Sequence, residues 1–420
     1  MTTIFLFIYN LFFISLLIPA SLLLLIFSSK YRKEIFYKLP ERFALWNYSK
    51  NSSKKTIWIH CASLGEVRAV EPVIEGLKDD FFIVLTALTK SAREYAQKMN
   101  KAHFCALLPL DIYPLVLKAF KIVKPDVFVI VETELWVSSL CGAKRAGAKI
   151  MTVNGRMSEK SFKMYKKLRF FWRPFIKLID YICARTAADA QRFAFLSGKT
   201  DNISVGGNVK YDRDFKVNSK RSDFGLKDGG IVFTAGSTRD FEEEIIAQSY
   251  VKIKKSYPDI KFFLAPRHLS RLGEVKKILA KYDISYSLFS QKQDGKNFIL
   301  VDVFGKLQSV YAVSDISFVG GSLVNKGGQN PIEPAAYAKP VLFGPYMENF
   351  ETEADVLLKY GGAFKVLNAD EIVLKIIELV CNKELRIKAG ENAAKAVESQ
   401  KGAVKRTVEK IREEAEKSVN

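Results

Sequence analysis

The chain has few of the side chains from which disulfide frameworks and metal sites are built. Its 420 residues include five cysteines and three histidines, and no two cysteines are spaced as a CxxC pair. An odd number of scattered cysteines is typical of reduced core residues in a cytoplasmic protein. The sequence therefore argues against a disulfide-stapled fold, and it predicts no metal site.

Acidic residues are in the minority. Asp and Glu total 45 against 65 Lys and Arg, which leaves a net charge of +20. A basic balance of this size predicts an anionic partner, which is nucleic acid, an anionic membrane surface or a phosphorylated substrate. The length is enough for two domains with cores of their own and an appendage.

Charged residues are absent from positions 1 to 29. The run from Ile4 to Phe27 is nearly all Leu, Ile and Phe, and its length is enough to span a bilayer. A cleaved signal peptide would need a basic start and a shorter apolar run. Because five basic and two acidic residues follow between Lys30 and Arg42, the positive-inside rule places the body in the cytoplasm. The sequence predicts a transmembrane anchor over 1–29 that is dispensable for activity on a detergent-solubilised acceptor.

The stretch from Ser317 to Phe350 carries the strongest local signal. An apolar strand leads into Gly320-Gly321-Ser322, and a second glycine pair precedes a short helix that begins near Pro331. Glycines after a strand let the backbone approach a ligand, and a helix N-terminus offers N–H groups to an anion. Glu333, in the first turn, is placed to accept hydrogen bonds from a sugar. This pattern predicts the donor-nucleotide crevice of a two-domain glycosyltransferase.

Short apolar runs alternate with amphipathic segments through the body of the chain, which is the pattern of parallel-sheet α/β domains. The predicted strands are Thr56–Cys61, Phe81–Ala87, His103–Leu107, Val127–Val131, Lys149–Asn154, Tyr181–Ala184, Ile203–Val205, Ile231–Ala235, Lys261–Ala265, Ile316–Val319 and Pro340–Phe343. We expect a first domain over 30–209 and a second over 210–420. The charged end of the chain is either a solvated helix or a helix that packs back on the first domain.

The first strand leads into Ala62-Ser-Leu-Gly-Glu66 and a helix. Ser63 is a plausible N-cap, and Glu66 is its capping-box partner three residues later. Alternatively, Glu66 is a general base that takes a proton from an acceptor hydroxyl, because ligands bind at the carboxyl ends of parallel strands. The helix dipole lowers the pKa of this carboxyl, whereas burial would raise it. The sequence leaves both interpretations open.

Polar side chains follow two further strands of the predicted first domain. They are Glu132 and Glu134 after one strand, and Asn154, Arg156 and Ser158 after the next. Several such sets at successive strand ends favour a cleft over ordinary solvated loops. A turn after Val131 would leave only one of the two carboxylates in the site. Lys210 lies in the crossover to the second domain, where it either meets an acidic substrate or is solvated.

Two aspartate features have structural explanations. Asp111 precedes a predicted helix and is expected to cap it. Asp212-Arg-Asp214 matches the DxD metal signature of another glycosyltransferase fold. It lies in a linker and not at a sheet edge, so we interpret the match as a coincidence.

The second domain has two more strand ends suited to an anion. Gly236-Ser237-Thr238 turns onto a helix N-terminus, which is suited to a phosphate. After the next strand comes Arg267, whose forked guanidinium fits a phosphate or a carboxylate, with His268 and Arg271 beside it.

A basic and aromatic segment runs from Ser161 to Lys177. It contains six basic residues, six aromatic residues and no acidic residue. Such a helix is either a solvated face with a buried stripe, or a surface for anionic headgroups and an acidic lipid substrate.

In order along the chain, these motifs resemble those of the Kdo transferases, which add 3-deoxy-D-manno-octulosonic acid (Kdo) to lipid A precursors. The matching blocks are Ala62-Ser-Leu-Gly-Glu66, Glu132-Thr-Glu-Leu-Trp136, Asn154-Gly-Arg-Met-Ser158, Asn208-Val-Lys-Tyr-Asp212, Gly236-Ser-Thr238, Pro266-Arg-His268, Gly320-Gly-Ser322, Asn330-Pro-Ile-Glu-Pro334 and Asn349-Phe350. One departure is Gln329, where the family usually has His.

The resemblance implies a GT-B fold, in which two Rossmann-like domains face a cleft. It also implies an inverting, metal-independent transfer from CMP-Kdo to a lipid A precursor at the inner membrane, without a cofactor and with Glu66 as the base. Together with position after a strand, the resemblance predicts that eight residues bind the acceptor: Ser63, Gly65, Glu132, Glu134, Asn154, Arg156, Ser158 and Lys210. It assigns to the donor Ser237, Thr238, Arg267, His268, Gly320, Gly321, Ser322, Asn330, Glu333 and Asn349.

The predicted partners are CMP-Kdo, the lipid A precursor and anionic lipids of the inner membrane, and no nucleic acid. A transferase that uses a UDP-sugar, or a nucleotide-sugar epimerase, would have the same crevice. An epimerase would not need the anchor or the basic aromatic segment. A non-catalytic membrane-binding protein would explain the charge and the anchor, but not the polar sets at the strand ends.

Overall fold

Two seven-stranded sheets, each flanked by helices, form the framework of the chain. The computed structural model describes residues 2–17, 19–20, 32, 34–212, 215, 217, 219–226, 229–291 and 295–418. The chain divides into a first unit, Met1–Arg213 with Lys401–Asn420, and a second unit, Asp214–Gln400.

The first unit contains seven parallel strands. They are β1 (Thr56–Cys61), β2 (Phe82–Ala87), β3 (Phe104–Leu107), β4 (Val127–Val131), β5 (Lys149–Gly155), β6 (Tyr181–Ala184) and β7 (Ile203–Val205), in the sheet order β3-β2-β1-β4-β5-β6-β7. The helices are α1 (Thr2–Phe12), α2 (Leu64–Glu75), α3 (Lys90–Met99), α4 (Tyr113–Val123), α5 (Val137–Arg145), α6 (Glu159–Lys167), α7 (Arg169–Ile176), α8 (Ala187–Ser197) and, at the end of the chain, α16 (Ala403–Glu416). Shorter helical turns cover Phe13–Leu17, Leu39–Phe43 and Val209–Asp212.

The second unit has the same plan. Its strands are β8 (Val232–Thr238), β9 (Lys261–Pro266), β10 (Tyr286–Leu288), β11 (Phe298–Leu300), β12 (Ile316–Val319), β13 (Val341–Phe343) and β14 (Ala363–Lys365), in the parallel order β10-β11-β9-β8-β12-β13-β14. Its helices are α9 (Glu242–Lys254), α10 (Leu272–Lys281), α11 (Leu307–Val313), α12 (Ile332–Ala336), α13 (Glu351–Tyr360), α14 (Ala369–Cys381) and α15 (Lys383–Glu398). Short turns cover Arg221–Phe224 and Leu269–Arg271.

Both faces of the first sheet are buried, and β1 shows why. All six of its residues are buried, and successive side chains point to opposite faces. Trp58 lies in one apolar cluster with Phe128, whereas Ile57 and Ile59 lie in the cluster on the other face. A continuous apolar run is what a parallel strand needs when helices cover it on both sides. The predicted pair of parallel-sheet α/β domains is confirmed.

The last helix, α16, packs against the first sheet. Val408 and Ile411 lie in the same apolar cluster as Ile57. The Asp212 carboxylate accepts hydrogen bonds from the backbone N–H groups of Gly402 and Val404, which satisfies the start of this helix. Of the two interpretations that the charged sequence left open, the structure has the packed helix. Asp214, the other aspartate of the DxD match, lies outside the described residues.

The first helix is attached to the first unit by polar contacts. The Asn10 Nδ2 donates to Ser138 Oγ at 3.2 Å, and its Oδ1 accepts from the Tyr113 backbone N–H at 2.7 Å. Asn10 therefore satisfies the N-terminus of α4, where the local residue Ile112 provides no side-chain cap. The Phe5 ring lies 6.1 Å from the ring of Phe170.

Asp111 does not cap the helix that follows it, so that prediction is wrong. Its carboxylate accepts hydrogen bonds from the backbone N–H groups of Ser138 and Ser139, at 3.0 and 2.9 Å, and thereby caps α5. Tyr9 of α1 also donates to this carboxylate. The segments that follow neighbouring strands lie side by side at one edge of the sheet, which brings the Asp111 carboxylate to the start of α5.

The predicted anchor over 1–29 falls partly outside the described residues. Within the described ranges, no helix is both long enough and apolar enough to cross a membrane. Residues 2–17 pack on the first unit through Tyr9 and Asn10, so this part of the segment belongs to the domain. The expectation that the segment is dispensable for activity stays a prediction.

We predict that Asn10→Ala loosens the starts of α4 and α5. The Tyr113 N–H loses its acceptor, and a polar group left without a partner costs about 1–3 kcal/mol. Hydrogen exchange followed by mass spectrometry is expected to speed up over residues 112–116 and 137–140. Ile8→Ala, a change on the exposed face of the same helix, is the control. Equal exchange in the two variants would show that Asn10 does not hold these helices.

Candidate active site

Glu66 lies in the first turn of α2, directly after β1 at the carboxyl edge of the first sheet. Its Oε1 accepts a hydrogen bond from Ser63 Oγ at 2.8 Å, and its Oε2 accepts one from the Ala62 backbone N–H at 2.7 Å. The Ser63 Oγ in turn accepts from the Glu66 N–H at 3.3 Å. Ser63 is the N-cap that the sequence predicts, and the Glu66 carboxyl group accepts from the Ala62 N–H in place of the Ser63 N–H of a capping box. These bonds hold the carboxyl group in one orientation.

Burial decides the protonation of this carboxyl group. Glu66 is 7% exposed. Desolvation, followed by the negative charge of Glu132, raises the pKa of Glu66 from 4.5 to about 7, although the hydrogen bonds from Ser63 and Ala62 lower it. A general base is most effective when its pKa lies near the working pH. Glu66 is therefore both a helix cap and a carboxylate with the basicity that proton transfer requires.

Glu132 stands next to this site and is held as an anion. It directly follows β4, and its backbone has a φ of 60°, a left-handed conformation that is uncommon outside glycine. The Lys210 Nζ lies 3.0 Å from its Oε1. Burial raises the pKa of Glu132, but the attraction of Lys210 and then of Arg156 outweighs it and leaves the pKa below its ordinary value.

Glu134 follows Glu132 in the same turn, and its charge acts on Glu66. Its Oε2 accepts a hydrogen bond from Trp136 Nε1 at 2.8 Å. Burial raises the pKa of Glu134, and the charge of Glu134 in turn contributes to the raised pKa of Glu66. The predicted turn after Val131 is present, and both carboxylates nevertheless act on Glu66.

Other residues assigned to the acceptor have structural partners. The Asn154 Oδ1 accepts from the Val209 N–H at 3.2 Å, which holds the turn that carries Lys210. The Ser158 Oγ accepts from the Ser161 N–H at 3.1 Å and caps α6. Arg156 contributes positive charge to Glu132. Asn154 and Ser158 thus position the site, and direct contact with a substrate stays a prediction for both.

The fold does not require a glycine at position 65. A Cβ placed there would meet only Ser63 Oγ, at an ordinary 3.7 Å. Gly65 does not have a positive φ either. The space beside Glu66 is therefore open, which suits close approach of a substrate to the helix start.

In the second unit, the glycine turn after β12 encloses a carboxylate of the chain itself. Glu242, the first residue of α9, is fully buried. Its two oxygens accept hydrogen bonds from the backbone N–H groups of Gly321, Ser322, Leu323 and Arg239, at 2.5 to 2.9 Å. The N–H groups of the glycine turn therefore bind a carboxylate of the chain itself, and contact of Gly320 and Gly321 with a donor stays a prediction.

Two hydroxyl groups assigned to the donor are also used within the fold. The buried Ser322 Oγ donates to the Val319 carbonyl oxygen and accepts from the Gly344 N–H at 2.8 Å. The buried Thr238 Oγ1 donates to Glu243 Oε1 at 3.3 Å. These side chains hold the loops together, and the prediction that their hydroxyl groups contact the donor does not fit this arrangement.

The end of β9 lies beside the loop after β8. The Arg267 backbone N–H donates to the Thr238 carbonyl oxygen at 3.0 Å, and the side chains of Arg267 and His268 are exposed. The Arg239 Nη1 lies 2.7 Å from His268 Nε2. Arg271 pairs with the buried Glu243 at 2.7 Å. The structure thus brings Arg239, Arg267 and His268 together as a group of cationic or potentially cationic side chains.

The remaining donor residues lie on the loops around α12. The Asn330 Oδ1 accepts from the Ile332 N–H at 3.2 Å, and its Nδ2 lies 3.5 Å from Glu333 Oε1. The Asn349 Nδ2 donates to the Lys326 carbonyl oxygen at 3.3 Å. Asn330 and Glu333 are half-buried, and Asn349 is exposed. Gln329 lies against the turn, 3.3 Å from where a Cβ on Gly321 would stand.

Sequence reasoning missed Arg239 and Glu242. Arg239 directly follows the Gly236-Ser-Thr238 motif, so its position after β8 was a signal for a site residue. Glu242 is the first of three consecutive glutamates at a helix start, a pattern usually explained by the helix dipole. Its contacts lie 79 to 81 residues away, and the local sequence does not reveal them.

The chain is similar to known glycosyltransferases over most of its length. Residues 37–213 match the family model described as 3-Deoxy-D-manno-octulosonic-acid transferase (kdotransferase). A 3-deoxy-D-manno-octulosonic acid transferase of Aquifex aeolicus is 33% identical over 81% of this chain and 90% of its own length. The same enzyme of Haemophilus influenzae is 29% identical over 97% of this chain and 99% of its own. A bifunctional glycosyltransferase/methyltransferase of Fusobacterium nucleatum is 31% identical, and the match spans 54% of that protein.

Solved structures show the same fold at low sequence identity. A glycosyltransferase from Rickettsia africae aligns over 86% of this chain with a TM-score of 0.62 and 16% identity. A UDP-GlcNAc 2-epimerase from Neisseria meningitidis aligns over 86% with a TM-score of 0.61 and 16% identity. At this identity the likeness supports the GT-B fold, and it does not favour either activity.

The Aquifex aeolicus relative, one third identical over nine tenths of its length, decides between the families that share this fold. The chain belongs to the family of 3-deoxy-D-manno-octulosonic acid transferases, which are glycosyltransferases.

Proposed function

We propose that the chain transfers Kdo from CMP-Kdo to a lipid A precursor in lipopolysaccharide biosynthesis, with inversion at the transferred carbon and with Glu66 as the general base. The observation that carries the proposal is the Glu66 carboxyl group, which is buried at the end of β1, oriented by two hydrogen bonds and has a pKa of about 7. Family membership supports the Kdo donor, and the buried base supports the chemistry.

The reaction needs one proton transfer and one displacement. Glu66 accepts the proton of an acceptor hydroxyl group while the hydroxyl oxygen forms a bond to the anomeric carbon of Kdo. The bond between that carbon and the phosphate oxygen of CMP breaks, and its electron pair leaves with CMP. Attack opposite the leaving group inverts the configuration. The nearby charges of Glu132 and Glu134 favour the proton on Glu66, because they raise its pKa.

The cationic group of the second unit is suited to the leaving phosphate. CMP-Kdo carries a single phosphodiester and a sugar carboxylate, and guanidinium groups bind both kinds of anion in bidentate fashion. Arg239 and Arg267 supply such groups, and the Arg239 Nε is buried without a hydrogen-bond partner among the described residues. Because side chains are suited to neutralise one phosphate, we propose a metal-independent reaction. Asp212 is unsuited to a metal, since both of its oxygens cap α16.

The first unit presents a surface suited to an anionic membrane. The basic aromatic segment forms α6 and α7, with Phe175 buried and Phe170 exposed. Arg169 stacks over the Phe195 ring at 4.5 Å. Exposed apolar side chains of α1, such as Phe7 and Leu11, add to this surface. Aromatic and basic groups together favour the headgroup region, so we propose that this surface holds the body at the cytoplasmic face of the inner membrane.

The purified full-length protein is expected to transfer Kdo from CMP-Kdo to tetra-acylated lipid A precursor in detergent, in the presence of a chelator. Mass spectrometry of the acceptor measures the added mass. UDP-sugars with the same acceptor, and UDP-GlcNAc alone, are the controls for another transferase and for an epimerase. Product from a UDP-sugar alone would refute the proposal, and activity that requires added magnesium would refute the metal-independent mechanism.

We predict that Glu66→Gln lowers transfer by about 10²–10⁴-fold, which is the usual contribution of a general base. CMP binding, measured by calorimetry, is expected to survive, since the donor residues are untouched. The base form is required, so in the wild type kcat/KM should fall about tenfold per pH unit as the pH drops below 7 and level off above it.

Glu75→Gln is the matched control for this experiment, because Glu75 lies at the other end of α2 and pairs with Lys101 on the surface. Near-normal turnover in Glu66→Gln, or a pH profile that is flat between 5 and 8, would reduce Glu66 to a helix cap.

We predict that Gly65→Ala folds normally and fails in transfer. The site has room for a Cβ within the protein, and alanine favours a helix over glycine by up to about 1 kcal/mol. The melting temperature should stay the same or rise, while the added methyl group occupies the space in which we place the acceptor. Gly273→Ala, at another open helical position, controls for the substitution itself. Unchanged kcat/KM in Gly65→Ala would show that the acceptor does not approach this helix start.

A further inference from the structure

The loop after β8 and the glycine turn after β12 are joined by one buried carboxylate. Four backbone N–H groups converge on Glu242: those of Gly321, Ser322 and Leu323 from the turn, and that of Arg239 from the loop. Converging backbone N–H groups of this kind form anion sites, and in other proteins they hold phosphate. Here the anion is part of the protein.

The backbones of the two segments are in close contact at Gly320. A Cβ on Gly320 would stand 2.5 Å from Thr238 Cα and 2.6 Å from the Ser237 carbonyl oxygen. A glycine is therefore required at position 320 by contact with the β8 loop. Gly321 has a φ of +69°, which favours glycine and turns the following N–H groups toward Glu242.

Only an ionised carboxylate satisfies this arrangement. All four partners are donors, so each carboxylate oxygen accepts two hydrogen bonds. A glutamine would keep one acceptor oxygen and would direct its NH₂ group at two N–H donors. Leaving two buried N–H groups unpaired costs free energy comparable to two lost hydrogen bonds.

We infer that Glu242 is a positioning residue of the donor site: its carboxylate takes the place of a ligand phosphate in the glycine turn and fixes this turn against the loop that carries Arg239. The inference rests on the proposed function, because the donor site is the one assigned above. It also has a consequence for that site. Since the N–H groups of the turn are occupied, the phosphate of the donor is left to the side chains of Arg239, Arg267 and His268.

Three variants test this role. Glu242→Gln removes the charge with little change in shape, and Glu242→Ala empties the site. Glu244→Gln is the matched control, because Glu244 lies two residues along the same helix and pairs with Lys281 at the surface. Acetate supplies the carboxylate that Glu242→Ala removes, so it serves as the probe of the empty site. Chloride at equal ionic strength controls for the effect of salt. The readouts are the melting temperature, and kcat and KM with donor and acceptor varied separately.

We expect Glu242→Gln to lower kcat/KM for CMP-Kdo by about tenfold to a hundredfold, because the turn loses two of the hydrogen bonds that fix it and only part of that loss reaches the donor site. The donor KM should rise while the acceptor KM stays the same. Acetate, but not chloride, should raise the melting temperature of Glu242→Ala and recover part of its activity with the donor. Glu244→Gln and the wild type should not respond to acetate.

Wild-type donor and acceptor KM values in Glu242→Gln would overturn the inference, and so would a loss of kcat alone, which is the sign of a smaller folded fraction. A folded Glu242→Ala that ignores acetate would show that the turn is not an anion site. If Glu242→Ala does not fold, the donor and acceptor KM values of Glu242→Gln test the inference. If the wild type does not use CMP-Kdo, the proposed function fails, and acetate-dependent melting still tests the anion site itself.

Discussion

Carboxylates that satisfy backbone N–H groups at the ends of parallel strands are the interaction on which both units depend. In the first unit Glu66 receives one backbone N–H and one hydroxyl group. In the second unit Glu242 receives four backbone N–H groups. Parallel strands collect their carboxyl ends at one edge, and the segments that leave this edge carry donors that need an acceptor. The chain supplies acceptors from its own glutamates.

Three glutamates at strand ends differ in the hydrogen-bond donors and charges around their carboxyl groups. Glu66 has few hydrogen bonds, is desolvated and lies near two other carboxylates, so its pKa rises to about 7, as the proposed role of a base requires. Glu132, only one strand away, keeps a low pKa because Lys210 and Arg156 offset its burial. Glu242 accepts hydrogen bonds from four backbone N–H groups. Glutamates in similar positions of similar sheets thus have three different environments, which the neighbouring charges and donors create.

Much of the framework was predictable because a buried parallel strand is a continuous apolar run. The seven strands of the first unit were predicted within one residue at each end. The strands β10, β11 and β14, of three residues each, were missed, although β7 and β13 of the same length were predicted. In the site, position after a strand identified Glu66, Glu132 and Arg267. The roles of Thr238 and Ser322 were not predictable, because their hydrogen-bond partners are chosen by the packing of neighbouring loops. The contacts of Asn10 lie 103 and 128 residues away, and no local pattern reveals them.

The first unit is completed by both ends of the chain. Residues of α1 satisfy the starts of α4 and α5, and α16 covers one face of the sheet. Because α5 directly follows the Glu132 to Trp136 turn, the position of that turn depends on the contacts of α1 with Ser138 and Asp111. The segment that we propose to meet the membrane is therefore also part of the support of the acceptor site.

The central claim is that burial and neighbouring charge make Glu66 a base. A direct titration of its carboxyl group tests this claim, by infrared difference spectroscopy of the wild type against Glu66→Gln across pH 4 to 9. The carboxylate and carboxylic acid bands that differ between the two proteins belong to Glu66. The account predicts equal populations of the two forms near pH 7. A midpoint near 4.5, the ordinary value for a glutamate, would contradict it.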